Sequence, residues 1–138
     1  MRRWMIAGNW KMHNNKSEAV LLAKAIKEGT QGISGGDVVL APPFTALQSV
    51  YETIVDSHVL LAAQNMYYED KGAFTGEISP SMLKDIGCTY VIIGHSERRK
   101  YFHETDEAVN QKVKKSLATG IKPIVCVGET EHERNKGL

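Results

Sequence analysis

Apolar residues along this chain come in short unbroken runs, separated by stretches whose apolar positions recur every three or four residues. The runs are Trp4-Met5-Ile6-Ala7, Val38-Val39-Leu40-Ala41, Val59 to Ala63, Tyr90-Val91-Ile92-Ile93 and Ile124-Val125-Cys126-Val127. Continuous rather than alternating, and rich in β-branched residues, they predict strands buried on both faces. Between them the spacing predicts helices. Ser17 caps the first, with Ala19, Leu22, Ala23 and Ile26 on one face, and Gly29 and the "GISGG" stretch end it. Pro42-Pro43 stops the second strand, and Thr45 then caps a helix that buries Leu47, Val50, Tyr51 and Ile54. Ser79-Pro80 is a cap followed by proline at the first helical position, which opens a short helix ending near Gly87. Ser96 and Glu97 begin another helical turn directly after the fourth strand. Thr105-Asp106-Glu107 starts a further helix with a cap and two acids placed for the helix dipole. Its buried face is Val109, Val113 and Leu117, and Gly120 ends it. The connection from Asn65 to Ile78 has no periodic pattern, and a loop of that length is usually functional.

Strands that alternate with helices predict parallel βα units in an α/β fold, here one domain over residues 1–138. Two architectures fit that pattern. One is a doubly wound, flavodoxin-like sheet; the other is about five-eighths of a (β/α)8 barrel, a TIM barrel left incomplete. Composition removes several function classes. Seventeen basic residues against sixteen acidic leave a net charge of +1, so no global field recruits nucleic acid or anionic lipid. Cys88 and Cys126 sit in apolar runs without metal-ligand spacing, which predicts reduced core thiols, no metal and a reducing compartment. "MRRWMIAGNWK" is too short in apolar residues for a signal segment, and nothing later approaches a membrane span. The expectation is a cytoplasmic protein.

In either architecture the chemistry gathers where strands end at their C-termini. Those ends carry Asn9 and Lys11, then Gln64 and Asn65, then His95, Ser96 and Glu97, and finally Glu129. Singly, each has an ordinary explanation: a turn asparagine, a solvated lysine, a helix-capping glutamate. Together, a lysine, a histidine and a carboxylate share the rim where a pocket would form. A flavodoxin-like phosphoacceptor would place acids after strands one and three and a lysine after strand five, nearly the reverse of what stands here. A nucleotide-binding version would need G-x-G-x-x-G or G-x-x-x-x-G-K-[ST] after strand one, and "AGNWKMHNN" is neither. The barrel is the better reading.

The segments "AGNWKM", "APPFTAL", "AQN", "GAFTGEIS", "VIIGHSERR" and "PIVCVGET" resemble the triosephosphate isomerase family in order and spacing, from Trp4 to Leu138. The resemblance implies interconversion of dihydroxyacetone phosphate and glyceraldehyde 3-phosphate through an enediolate, in glycolysis and gluconeogenesis, with no cofactor. It implies that Asn9 and Lys11 bind substrate and that His95 is the electrophile facing the substrate's oxygens. Glu97 would hold Lys11 and assist proton traffic. A helix beginning right after His95 favours the neutral imidazole, and a neutral histidine here is an established property of that family. The resemblance also makes the enzyme a homodimer, with the 65–78 loop reaching the neighbouring subunit. Thr75 and Glu77 are then interface residues, with Arg98 the expected partner of Glu77.

The family's general base, its mobile lid and its phosphate-binding loops have no counterpart in these residues. The expectation is therefore that the 138 residues alone are inactive. Five strands of eight would leave open edges at strands one and five, which favours self-association or capture of a complementary fragment.

Overall fold

The structure, a computed structural model, describes residues 3–137. Strand β1 (Trp4–Asn9) leads to helix α1 (Lys16–Gly29), then β2 (Gly36–Ala41), α2 (Leu47–Ile54) and β3 (Val59–Ala63). After the long loop come α3 (Pro80–Ile86), β4 (Tyr90–Ile93), α4 (Ser96–Phe102), α5 (Asp106–Thr119), β5 (Lys122–Val125) and α6 (Glu131–Lys136). All four strand pairs are parallel, and the order is β1-β2-β3-β4-β5. That order never reverses. A doubly wound sheet needs a reversal to place helices on both faces, so the flavodoxin-like alternative is excluded. No described helix is long and apolar enough to cross a membrane.

The pleat divides the strand residues into two layers. Val38, Leu40, Val59, Leu61, Ala63, Val91 and Ile93 pack against Ala19 and Ala23 of α1, Leu47, Val50 and Ile54 of α2, Leu83 of α3 and Val109 of α5. Val39, Ala41, Ala62, Tyr90 and Ile92 form a second cluster on the opposite face, with Leu60, Ile124 and Cys126 against it. The unbroken apolar runs of β2, β3 and β4 are therefore buried on both sides. Cutting a fully buried residue such as Leu61 back to alanine would cost about 2–5 kcal/mol. The pattern fails at the outer strands: Ile6 of β1 is 66% exposed and Val125 of β5 42%, because each strand has one neighbour instead of two.

Several element boundaries differ from the sequence reading. Helix α1 is capped by Asn15, not Ser17: the Asn15 side chain accepts from the N–H groups of Ser17 and Glu18, and Glu18 accepts from the Asn15 N–H in return. Leu22 falls outside the buried face of that helix. Thr45 lies within a single 3-10 turn, Phe44–Ala46, with no side-chain cap, and α2 starts only at Leu47. Strand β5 begins at Lys122 rather than Ile124, since its register is fixed by pairing Tyr90 with Lys122 through Ile93 with Val125. On α5 the inward positions are Val109, Lys112 and Ser116, while Leu117 points to solvent. The Ser116 hydroxyl is used there, donating to Ile121 O at 2.6 Å.

Candidate active site

"VIIGHSERR" is where the fold turns a core strand into a site. Gly94 follows β4 with φ +73°, and a Cβ on it would come within 3.1 Å of Val109. The positive φ calls for glycine, and a side chain there would also press the Val109 methyls back by a few tenths of an ångström. The turn delivers His95 as the N-cap of α4, where its Nδ1 accepts from the Glu97 N–H at 3.2 Å. With Nδ1 accepting there, Nε2 is the ring nitrogen left to donate. Nε2 makes no hydrogen bond among the described residues. The two arginines fix the turn from behind. Arg99 Nε donates to Gly94 O at 3.1 Å and its Nη1 to Asp106, while Arg98 Nε donates to Glu104 Oε2 at 2.6 Å.

Lys11 enters from the end of β1. Its Nζ donates to Glu97 Oε1 at 2.6 Å, joining residues 86 positions apart in sequence. That hydrogen bond, reinforced by the lysine charge, holds the Glu97 carboxyl below the usual carboxylate range. The pair is half-exposed, so its value lies in orientation more than stability. Asn9 Oδ1 accepts from the Lys11 N–H at 3.0 Å. Asn9, Lys11, Gln64, Asn65, His95 and Glu97 all line one cavity of about 290 Å3 at the C-terminal ends of the strands. It can take a small, polar, anionic molecule, with an ammonium and an imidazole N–H for its oxygens.

The other residues named from sequence divide between the cavity and its surroundings. Glu77 and Arg98 line the same cavity, and Thr75 is exposed on the 65–78 loop. Arg98 is already committed to Glu104 within the chain. Glu129 does not join the cavity; its Oε1 accepts from Arg134 Nε at 2.9 Å. Cys88 is buried and Cys126 half-buried, both as free thiols, with burial pushing the Cys88 thiol up to about 12.

Beneath the cavity lies a network that sequence reasoning passed over. Glu104, with 3% of its side chain exposed, accepts from Arg98 and pairs with Lys112 at 3.2 Å. Lys112 in turn donates to Asn65 Oδ1 at 2.9 Å, tying the base of the long loop to α5. Burial raises the Glu104 carboxyl, but the hydrogen bonds and charges of Arg98 and Lys112 outweigh it and leave a net lowering. The signal was present on α5: a lysine sits three residues beyond Val109, on the buried stripe, where a charge calls for a partner.

Known proteins match this arrangement along almost its full length. The family model described as triosephosphate isomerase matches residues 4–138. The chain belongs to the triosephosphate isomerase family. A triosephosphate isomerase from Herpetosiphon aurantiacus is 54% identical over 137 residues, covering 99% of this chain and 55% of the relative. One from Endomicrobium trichonymphae is 54% identical over 138 residues, with 100% and 55% covered. The crystal structure of triosephosphate isomerase from Bartonella henselae superposes with a TM-score of 0.87 at 37% identity, covering 99% of this chain and 56% of that one. This chain thus spans about half the length of the triosephosphate isomerases it matches, and its five parallel strands form a curled half-barrel.

Proposed function

We propose that these residues supply the substrate-binding and electrophilic half of a triosephosphate isomerase site. In this reading Lys11 and Asn9 hold the phosphorylated triose. His95 donates from Nε2 to the oxygen that becomes negative in the enediolate, and it can hand the proton between the two neighbouring oxygens. Glu97 keeps Lys11 aimed. Preorganised donors of this kind are each worth about 10²–10³ in rate. The observation that carries the reading is the convergence of Lys11, His95 and Glu97, from two distant strand ends, on one cavity.

The carbon-bound proton needs a base, and we place that base outside residues 1–138. Glu97 is engaged by Lys11, and Glu129 lies outside the cavity, paired with Arg134. The 138-residue chain on its own is therefore inactive in this reading, and the complete enzyme is a cytoplasmic homodimer whose 65–78 loop, with Thr75 and Glu77, contacts the neighbouring subunit. A second reading, association through the strand edges, is favoured by the exposure of Trp4, Met5 and Ile6 on β1. It predicts a mass that rises with concentration in sedimentation.

Two measurements test the first reading together. Glyceraldehyde 3-phosphate isomerisation by the purified chain should equal that of a His95→Ala version prepared identically; a clearly faster wild type means a carboxylate within the chain reaches the substrate. Titration with 2-phosphoglycolate, whose planar carboxylate copies the two enediolate oxygens, should shift the amide resonances of Lys11 and His95, and Lys11→Met should abolish the shifts. Absence of any shift in the wild type removes the assignment of the cavity to an anionic triose.

A further inference from the structure

We infer that Gln64 is a positioning residue for Lys11: its carboxamide locks the lysine backbone in the left-handed conformation from which the ammonium enters the cavity. The inference rests on the reading of Lys11 as a substrate ligand. Lys11 has φ 53°. A residue with a Cβ is crowded against its own backbone there, and holds the conformation only where neighbouring groups impose it.

Both amide groups of Lys11 are held by side chains. Its N–H donates to Asn9 Oδ1 at 3.0 Å, and its C=O accepts from Gln64 Nε2 at 2.8 Å. Gln64 also donates to Ala41 O, again at 2.8 Å. Ala41 is the last residue of β2, paired with Asn9, and its carbonyl accepts as well from the Trp10 N–H at 3.1 Å. Gln64 follows β3, so one side chain spans from the third strand across the end of the second to the loop leaving the first. Its orientation is set by chemistry. Both partners are carbonyls, so the NH2 end must face them and both its protons are spent.

The ordinary role for such a glutamine is to finish a sheet end, but Ala41 O already has the Trp10 N–H. Lys11 O, by contrast, has no other donor among the described residues. The asparagine turn fixes only the N–H side of Lys11. Gln64 fixes the carbonyl side, and with both peptides held the Cα–Cβ bond is set in the direction from which Nζ reaches Glu97 in this structure.

Two isosteres separate donation from bulk. Gln64→Met keeps the shape without the donors, and Gln64→Glu sets carboxylate oxygens against two carbonyls. In the 138-residue chain, positive φ at Lys11 gives a short amide-to-Hα distance and a strong intraresidue cross-peak in nuclear magnetic resonance. Both variants should lose that strong cross-peak, and affinity for 2-phosphoglycolate should fall about tenfold, the worth of one lost hydrogen bond. Retention of the cross-peak in both overturns the inference, and so does retention in Gln64→Met alone, which would reduce the glutamine to a filler. Where Gln64→Met fails to fold, adding Lys11→Gly should restore folding, because glycine takes positive φ freely; no restoration overturns the inference. If the cross-peak behaves as expected but the wild type shows no response to 2-phosphoglycolate, the reading of the cavity falls while the role of Gln64 stands.

Discussion

The two ends of the sheet are both polar, but their polar groups behave in opposite ways. At the N-terminal ends of the strands, Tyr90 donates its hydroxyl to Asp37 Oδ2 at 2.6 Å, Arg3 pairs with Asp37 Oδ1 at 2.8 Å, and Lys122 lies 5.4 Å from the centre of the Tyr90 ring. Both Asp37 oxygens and the Tyr90 hydroxyl are engaged there, and burial together with the Asp37 contact pushes the Tyr90 phenol up to about 12. At the C-terminal ends, Lys11 sits in a strained backbone conformation, His95 leaves Nε2 open, and the whole group faces a cavity. Satisfied polar clusters hold strands in register; polar atoms left over at a cavity are available to a ligand. The division of labour between the two ends is the one expected of a parallel barrel.

Beneath the site end runs a third polar cluster, Glu104 with Arg98 and Lys112, and the comparison is broken most severely by removing it. Glu104→Ala leaves the buried Lys112 ammonium without its carboxylate and should cost about 3–5 kcal/mol in urea denaturation. The Glu104 carboxyl is lowered in the folded chain, so its contribution is complete above the ordinary value of 4.5 and is lost as pH falls through the lower, folded value. The variant should therefore show a shallower loss of stability with acid in that window. An unchanged acid limb would mean the carboxylate is not the group that titrates.

A smaller effect tests the N-terminal end. Tyr90→Phe removes one hydrogen bond to a charged acceptor while Arg3 still covers Asp37, and should cost about 1.5–3 kcal/mol with 2-phosphoglycolate binding untouched. If binding falls in step with stability, the two ends are not independent.

The smallest stability change, and the sharpest contrast, belongs to Lys11. Lys11→Gly relieves the positive φ and gives up only a half-exposed ion pair, so stability should rise by about 0.5–1 kcal/mol while ligand binding disappears. Stability and function moving in opposite directions at this one position would mark it as a residue kept for chemistry. A loss of stability instead would show that the Lys11–Glu97 pair matters to the fold.

Much of this was legible in the residues themselves. The five strands, the Ser79-Pro80 and Thr105 caps, and the turn at Gly94 into His95 follow from local rules that the structure obeys. The Asn15 cap was legible too, through the glutamate three residues on, although Ser17 is an equally good cap taken alone. Local pattern works for such features because a helix turn or a cap involves neighbours within four residues. Other features needed the fold. The register of β5 is set by hydrogen bonds to β4, and burial of Lys112 depends on Glu104 and Asn65 arriving from other elements. The meeting of Lys11 with Glu97, and of Gln64 with the Lys11 carbonyl, joins residues separated by 86 and 53 positions. Spacing along a chain carries no information about such distances. Sequence determined which groups stand at the strand ends; the curl and order of the sheet decided which of them touch, because only packing across strands brings distant side chains within hydrogen-bonding range.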